Sequence, residues 1–83
     1  MERIARICAM EKRMERAKAA LAAGEPSTAE EDMLALFAYY SGGQWLADYE
    51  ADERGELPRG LKRGVLSQDG LYDLLEAWNT AEK

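Results

Sequence analysis

The sequence predicts an all-α fold, and three observations support this prediction. Apolar residues recur at spacings of three and four along most of the chain. Strong helix formers fill the segments between the glycines and prolines, and no segment alternates in the β-branched pattern of a strand. With 83 residues, of which 47% are apolar and 33% charged, the chain is typical of a single globular domain. We expect an antiparallel helical hairpin, a short third helix, an ordered loop and a C-terminal helix.

The first helix is predicted over residues 1–23, because its apolar residues form a seam with spacings of three, four, three and four. The seam consists of Ile7, Met10, Met14, Ala17 and Leu21. Gly24 and Pro26 end the helix. Cys8 lies beside the seam, so we expect a buried, unreactive thiol. A hairpin within one chain explains the seam first, and a homodimer through this helix is the alternative.

The second helix is predicted over residues 27–41. Ser27 with Glu30, or Thr28 with Glu31, matches the capping box that begins many helices. The expected apolar face consists of Met33, Leu34, Leu36, Phe37 and Tyr40. Because the connection from the first helix is short, the two helices should pack antiparallel.

Two further helices and one loop are predicted in the second half of the chain. Residues 44–54 have the aromatic spacing of a short helix, and residues 56–66 form an ordered loop after the Leu57-Pro58 turn. A fourth helix over residues 67–79 begins at Ser67, which is a strong N-cap residue.

The charge balance and composition exclude several classes of function. The net charge of −5 disfavours nucleic acid and anionic membranes as partners. The chain has no histidine and one cysteine, so we predict no catalytic residue, cofactor, metal ion or disulfide bond. It also lacks an apolar run long enough to span a membrane and an N-terminal signal segment, which predicts a cytoplasmic protein.

The charges are unevenly distributed along the sequence. Residues 1–23 carry six basic and three acidic side chains, whereas residues 24–57 carry one basic and nine acidic ones. Docking the acidic middle on the basic first helix would lower self-repulsion. The alternative is an acidic face that stays open to a partner.

The third helix and the loop after it contain the candidate site. The acidic run over residues 48–53 fails the pattern of a calcium loop, since Glu53 and Arg59 stand where glycine and glutamate are required. We predict a partner-binding surface that consists of Trp45, Asp48, Tyr49, Glu50, Asp52, Glu53, Arg59, Lys62 and Arg63. The alternatives are a solvated acidic face, aromatics packed in the core, and basic residues that pair with the acidic run.

From Tyr39 onward the chain resembles a known family. The residues that carry the resemblance are Tyr39-Tyr40-Ser41, Trp45, Asp48, Glu50, Asp52-Glu53, Leu57-Pro58, Leu61 to Ser67, Asp69 and Tyr72 to Leu75. Together they are similar to a small bacterial and phage family, the domain-of-unknown-function family numbered 4298. The resemblance implies a small helical fold and supplies no reaction, cofactor or substrate.

The sequence therefore favours a non-enzymatic module that binds a protein partner through an acidic face and an aromatic patch. The alternative is a phage or mobile-element inhibitor, similar in action to an anti-CRISPR protein, that blocks a nucleic-acid-binding complex by charge mimicry. An enzyme that uses only carboxylates, tyrosines and basic side chains is the third hypothesis, and it would need two acids with separated pKa values in a pocket.

Overall fold

A computed structural model describes residues 2–67 and 69–81, and in that part of the chain it contains four α-helices and no strand. The predicted all-α class is therefore confirmed. The helices are α1 (Arg3–Ala22), α2 (Glu30–Ser41), α3 (Gln44–Glu53) and α4 (Gly70–Ala81). Two short 3-10 turns, Pro26–Ala29 and Gly64–Leu66, precede α2 and α4.

The hairpin of α1 and α2 is the framework of the fold. At the start of α1 the Glu2 carboxylate accepts a hydrogen bond from the Ile4 N–H at 2.7 Å, and α1 ends at Ala22, shortly before Gly24, whose φ of +73° favours glycine. Arg13 of α1 contacts Asp32 at the start of α2, so the two helices run antiparallel as predicted. Ile7 and Met14 of the seam are buried within the chain.

The predicted capping box before α2 is wrong. Pro26 begins a 3-10 turn that carries Ser27 and Thr28 away from the N-cap position, and Ala29 occupies that position without a side-chain hydrogen bond. The Thr28 hydroxyl instead donates to the Glu25 carbonyl oxygen at 2.8 Å. As a result, α2 begins at Glu30, three residues later than predicted.

The apolar face predicted for α2 is half correct. Met33 and Leu36 are buried together with Tyr39, whereas Leu34 and Phe37 point into solvent. The α2 sequence is apolar around much of its circumference, so spacing alone does not decide which side packs on α1. Docking against α1 selects the side that also carries Asp32, as described below.

A left-handed residue, Gly43, joins α2 to α3 with a φ of +92°. The Trp45 indole N–H donates to the Val65 carbonyl oxygen at 2.8 Å, and the Val65 N–H donates to Glu11 of α1 at 2.8 Å. These two hydrogen bonds connect the loop between α3 and α4 to α3 and to α1. The Ser67 hydroxyl accepts from the Gly70 N–H at 3.3 Å, so it helps to begin α4 as predicted, although the helix itself starts at Gly70.

One core connects the four helices and the loop. Its largest fully buried apolar side chains belong to Tyr39, Ile7, Leu36, Leu71 and Val65. Cys8 is exposed, so the prediction of a buried thiol is wrong. The preceding seam residue, Ile7, is buried, and the next position along the helix points in a different direction around its axis. None of the helices in residues 2–67 and 69–81 combines the length and apolar content that a bilayer crossing needs.

Candidate functional site

Asp48, predicted to lie on the acidic surface, is fully buried at the junction of three helices. The Arg6 guanidinium binds both of its carboxylate oxygens, with the Nε–Oδ2 distance at 2.9 Å. The Arg3 Nε donates to Oδ1 at 3.1 Å, and the Tyr39 hydroxyl donates to Oδ2 at 2.7 Å. The prediction that Asp48 faces a partner is therefore wrong, because its carboxylate joins α3 to α1 and α2.

The surroundings of Asp48 hold it in the ionised form. Burial alone would raise the pKa of the Asp48 carboxyl, but the hydrogen bonds from Arg6, Tyr39 and Arg3 outweigh burial and keep the pKa below its usual range. Burial and the bond to Asp48 together raise the pKa of the Tyr39 hydroxyl. The cluster is a permanently charged structural bridge across the pH range of the cell.

A second buried carboxylate, that of Asp32, repeats this arrangement at the other end of the hairpin. Arg16 binds both of its oxygens at 2.8 and 3.0 Å, and Arg13 adds a bond at 3.0 Å. The hydrogen bond from Arg16 lowers the pKa of the Asp32 carboxyl more than burial raises it. The acidic middle of the chain thus docks on the basic first helix, which is the first of the two arrangements that the charge distribution allowed.

The aromatic members of the predicted surface pack against one another instead of standing open. Trp45 is buried, and its ring stacks on that of Tyr49 with the centroids 5.1 Å apart. The Tyr40 ring also packs near this indole, with the two ring centroids 5.1 Å apart. The alternative that these aromatics serve the core is correct for Trp45, and Tyr49 is half-buried at the edge.

The remaining predicted residues divide into a paired set and an exposed set. Arg63 donates to Asp52 and to the Pro58 carbonyl oxygen, so this basic residue engages the acidic run across the turn. Lys62 instead approaches Glu15 of α1 at 3.6 Å. The side chains of the predicted surface that are exposed in this structure belong to Glu50, Glu53, Arg59 and Lys62.

An open apolar groove lies between α2 and α4, where the sequence predicted packed core. Three large side chains on its walls are strongly exposed: Leu34 at 64%, Phe37 at 59% and Tyr72 at 49%. The residues of α2 that line it are Glu30, Met33, Leu34, Phe37 and Tyr40. The residues of α4 that line it are Tyr72, Leu75, Glu76, Trp78 and Asn79. We call this feature the α2–α4 groove.

The α2–α4 groove is large and mostly apolar. Its volume is about 580 Å³, within the range of pockets that hold ligands or side chains of a partner. Most of the lining is apolar, and Glu30 and Glu76 place one carboxylate on each wall. A sequence signal for the groove exists in hindsight, since the apolar residues of α2 exceed what one buried stripe requires.

The described residues contain no group of three acidic or thiol side chains that could hold a metal ion. Comparison with known proteins gives one result. The family model described as "Domain of unknown function (DUF4298)" matches residues 1–82. No curated protein and no solved structure matches the chain significantly.

Proposed function

The chain belongs to the DUF4298 family, and because the description of that family names no activity, we propose from the geometry that the protein is a non-enzymatic interaction module that docks a protein partner in the α2–α4 groove. The carrying observation is the convergence of Leu34, Phe37 and Tyr72 on one open groove. Single exposed apolar residues are common on any protein, whereas a contiguous apolar patch marks a contact surface.

Leu34, Phe37 and Tyr72 leave a large apolar area in contact with water. Burying a large apolar side chain stabilises a complex by about 1.5–3 kcal/mol. Phe37 of α2 and Tyr72 of α4 both line the groove, and aromatic side chains are frequent anchors at interfaces. A partner that fills the groove therefore gains binding energy that the isolated chain leaves unused.

This proposal moves the centre of the contact surface away from α3. Asp48 and Asp52 are occupied by arginines within the chain, and Trp45 is buried. Glu50 and Glu53 remain exposed and stay candidates for steering a partner, because exposed charges act mainly on the rate of encounter.

The arginine pairs also bear on the two other hypotheses. Charge mimicry of nucleic acid needs a row of exposed, unpaired carboxylates, and the row on α3 retains only Glu50 and Glu53 in that state. Acid–base catalysis by two carboxylates needs pKa values that are pushed apart. Among the residues that the structure describes, Asp32 and Asp48 carry the two buried carboxylates, and the pKa values of both are lowered. The groove is accordingly the better-supported site.

The test compares proteins captured from lysate of the source cells by tagged wild type, Phe37→Ser and Leu46→Ser. Leu46 is 51% exposed but lies outside the groove, so it controls for the loss of an exposed apolar side chain. We expect wild type and Leu46→Ser to retain a common partner that Phe37→Ser loses. The same capture profile for wild type and Phe37→Ser would contradict the proposal. Circular dichroism verifies that all three are folded.

A further inference from the structure

We propose, resting on the function above, that the partner segment received by the α2–α4 groove is an amphipathic helix with basic side chains along its flanks. Two independent features of the groove lead to this partner: the secondary structure of its walls, and the sign of the charges on them. A third feature, the like charge of two facing grooves, distinguishes this partner from a second copy of the chain.

The walls of the groove favour a helix over an extended strand. Both walls are α-helices, whose backbone N–H and C=O groups are used within the helix. A β-strand gains its affinity by pairing its backbone with an open sheet edge, which these helical walls do not offer. A helix satisfies its own backbone groups and needs only apolar side chains at the contact.

The length of the groove fits a short helix of about three turns. Lining residues of α2 extend from Glu30 to Tyr40, which is about 15 Å at ~1.5 Å per residue. The lining residues recur along α2 at the spacing of one helix face. A partner helix of similar length would present anchors at the spacing i, i+3 or i+4, and i+7 to Leu34 and Phe37 on one side and Tyr72 on the other.

The charges on the walls select a basic partner. Neither α2 nor α4 carries a lysine or arginine, whereas both carry acids. Glu30 and Glu76 line the groove on opposite walls. The Tyr72 hydroxyl donates to the Glu76 carboxylate at 3.4 Å, and this carboxylate raises the pKa of the hydroxyl. Lysines or arginines that flank an apolar helix face would meet a carboxylate on each side.

The same charges disfavour a second copy of the chain as the occupant. A symmetric dimer through the groove places the same surface on both sides of the interface. Glu30 and Glu76 of one copy would then face those of the other, and like charges at close range oppose association. The seam of α1, which was the other candidate for a dimer, has Ile7, Met14 and Ala17 buried within the chain.

The experiment selects partners without assuming their sequence. A displayed library of helix-forming peptides about 15 residues long, which is enough to form a helix and to span the groove, is depleted on the Phe37→Ser protein and then enriched on wild type. We expect the enriched peptides to carry large apolar residues at helical spacing and a net positive charge. Enrichment of peptides without helical spacing, or no enrichment beyond that on Phe37→Ser, would overturn the inference.

A second measurement isolates the charge. Binding of an enriched peptide should weaken about fivefold for the double variant Glu30→Gln, Glu76→Gln at low salt. The matched control Glu15→Gln, Glu25→Gln removes two exposed carboxylates that do not line the groove and should leave the affinity within about twofold. Equal affinities for both double variants would overturn the basic-partner inference. The proposed function would stand in that case, because the lysate capture tests the groove independently of charge.

Sedimentation of the free protein tests self-association. We expect one species whose mass does not change with concentration. A concentration-dependent dimer that Phe37→Ser abolishes would overturn the inference in favour of a second copy.

Discussion

The Asp48 cluster, which consists of Asp48, Arg3, Arg6 and Tyr39, differs from the α2–α4 groove in what it buries. At the cluster, a carboxylate is buried and every oxygen has a partner from Arg3, Arg6 or Tyr39. At the groove, apolar side chains are in water. At these two places a charge is buried and apolar side chains are exposed, which is the reverse of the usual distribution that the rest of the core follows. The difference teaches that the carboxylates of Asp48 and Asp52 are bound by arginines within the chain, while α2 and α4 leave open the apolar surface to which we assign the partner.

The largest effect should come from breaking the Asp48 cluster. Asp48→Asn removes the charge that three helices share and leaves Arg6 without its buried partner, so we expect a loss of about 3–5 kcal/mol in the free energy of unfolding. Urea unfolding measures it. Glu53→Gln makes the same chemical change at an exposed position of the same helix and should change stability by less than about 0.5 kcal/mol. Equal losses in the two variants would refute the role given to Asp48.

The next effect separates two neighbouring residues of α2. Leu36 is fully buried, so Leu36→Ala should cost about 2–4 kcal/mol. Phe37→Ala removes a larger side chain but one that is mostly in water, and it should cost less than about 0.5 kcal/mol. Thermal or urea unfolding compares them directly. A large loss for Phe37→Ala would mean that the groove is packed in solution.

Acid should weaken the cluster in a defined pH window. The pKa values of Asp48 and Asp32 are lowered in the folded chain. Their contribution to stability is therefore fully present above about pH 4, where the unfolded carboxyls ionise, and is lost as the pH falls through the lower folded values. The urea concentration at the unfolding midpoint should decrease once the pH drops below about 4, and it should decrease less steeply for Asp48→Asn than for wild type. A flat profile for the wild type would contradict this linkage.

A smaller effect concerns the loop. The Glu11 carboxylate accepts the hydrogen bond from the Val65 N–H at 2.8 Å, so Glu11→Ala leaves that donor unpaired and should cost about 1–2 kcal/mol. Amide exchange at Val65 should accelerate more than at residues within α1. Glu15→Ala, on the exposed side of α1 with a weak contact to Lys62, is the control. Unchanged exchange at Val65 would show that the Glu11 bond does not hold the loop.

Sequence reasoning located the helices but not the orientation of their side chains. Spacing and glycine positions placed all four helices within a few residues, because helix formers and breakers act locally. Pro26 misled the capping prediction, since both a capping box and a 3-10 turn suit the residues that follow it. The outward direction of Leu34 and Phe37 could not be read from α2, whose apolar residues fit more than one packing face.

The burial of Asp48 was equally hidden in the sequence. An aspartate within an acidic run is usually solvated, and its partners Arg3 and Arg6 lie more than 40 positions away. The opposite net charges of the first helix and the middle of the chain did contain the signal that the two dock. They did not say which carboxylates would be buried, because that depends on the antiparallel register of the hairpin.

The most direct test of the groove as a docking surface is crosslinking in living cells. A photoreactive phenylalanine analogue placed at position 37 lies in the groove, and the same analogue at position 46 lies at a similarly exposed apolar position outside it. After irradiation we expect a discrete crosslinked protein from position 37 and none from position 46. Identical crosslinks from both positions, or none from position 37, would contradict the claim that the groove between α2 and α4 receives a partner.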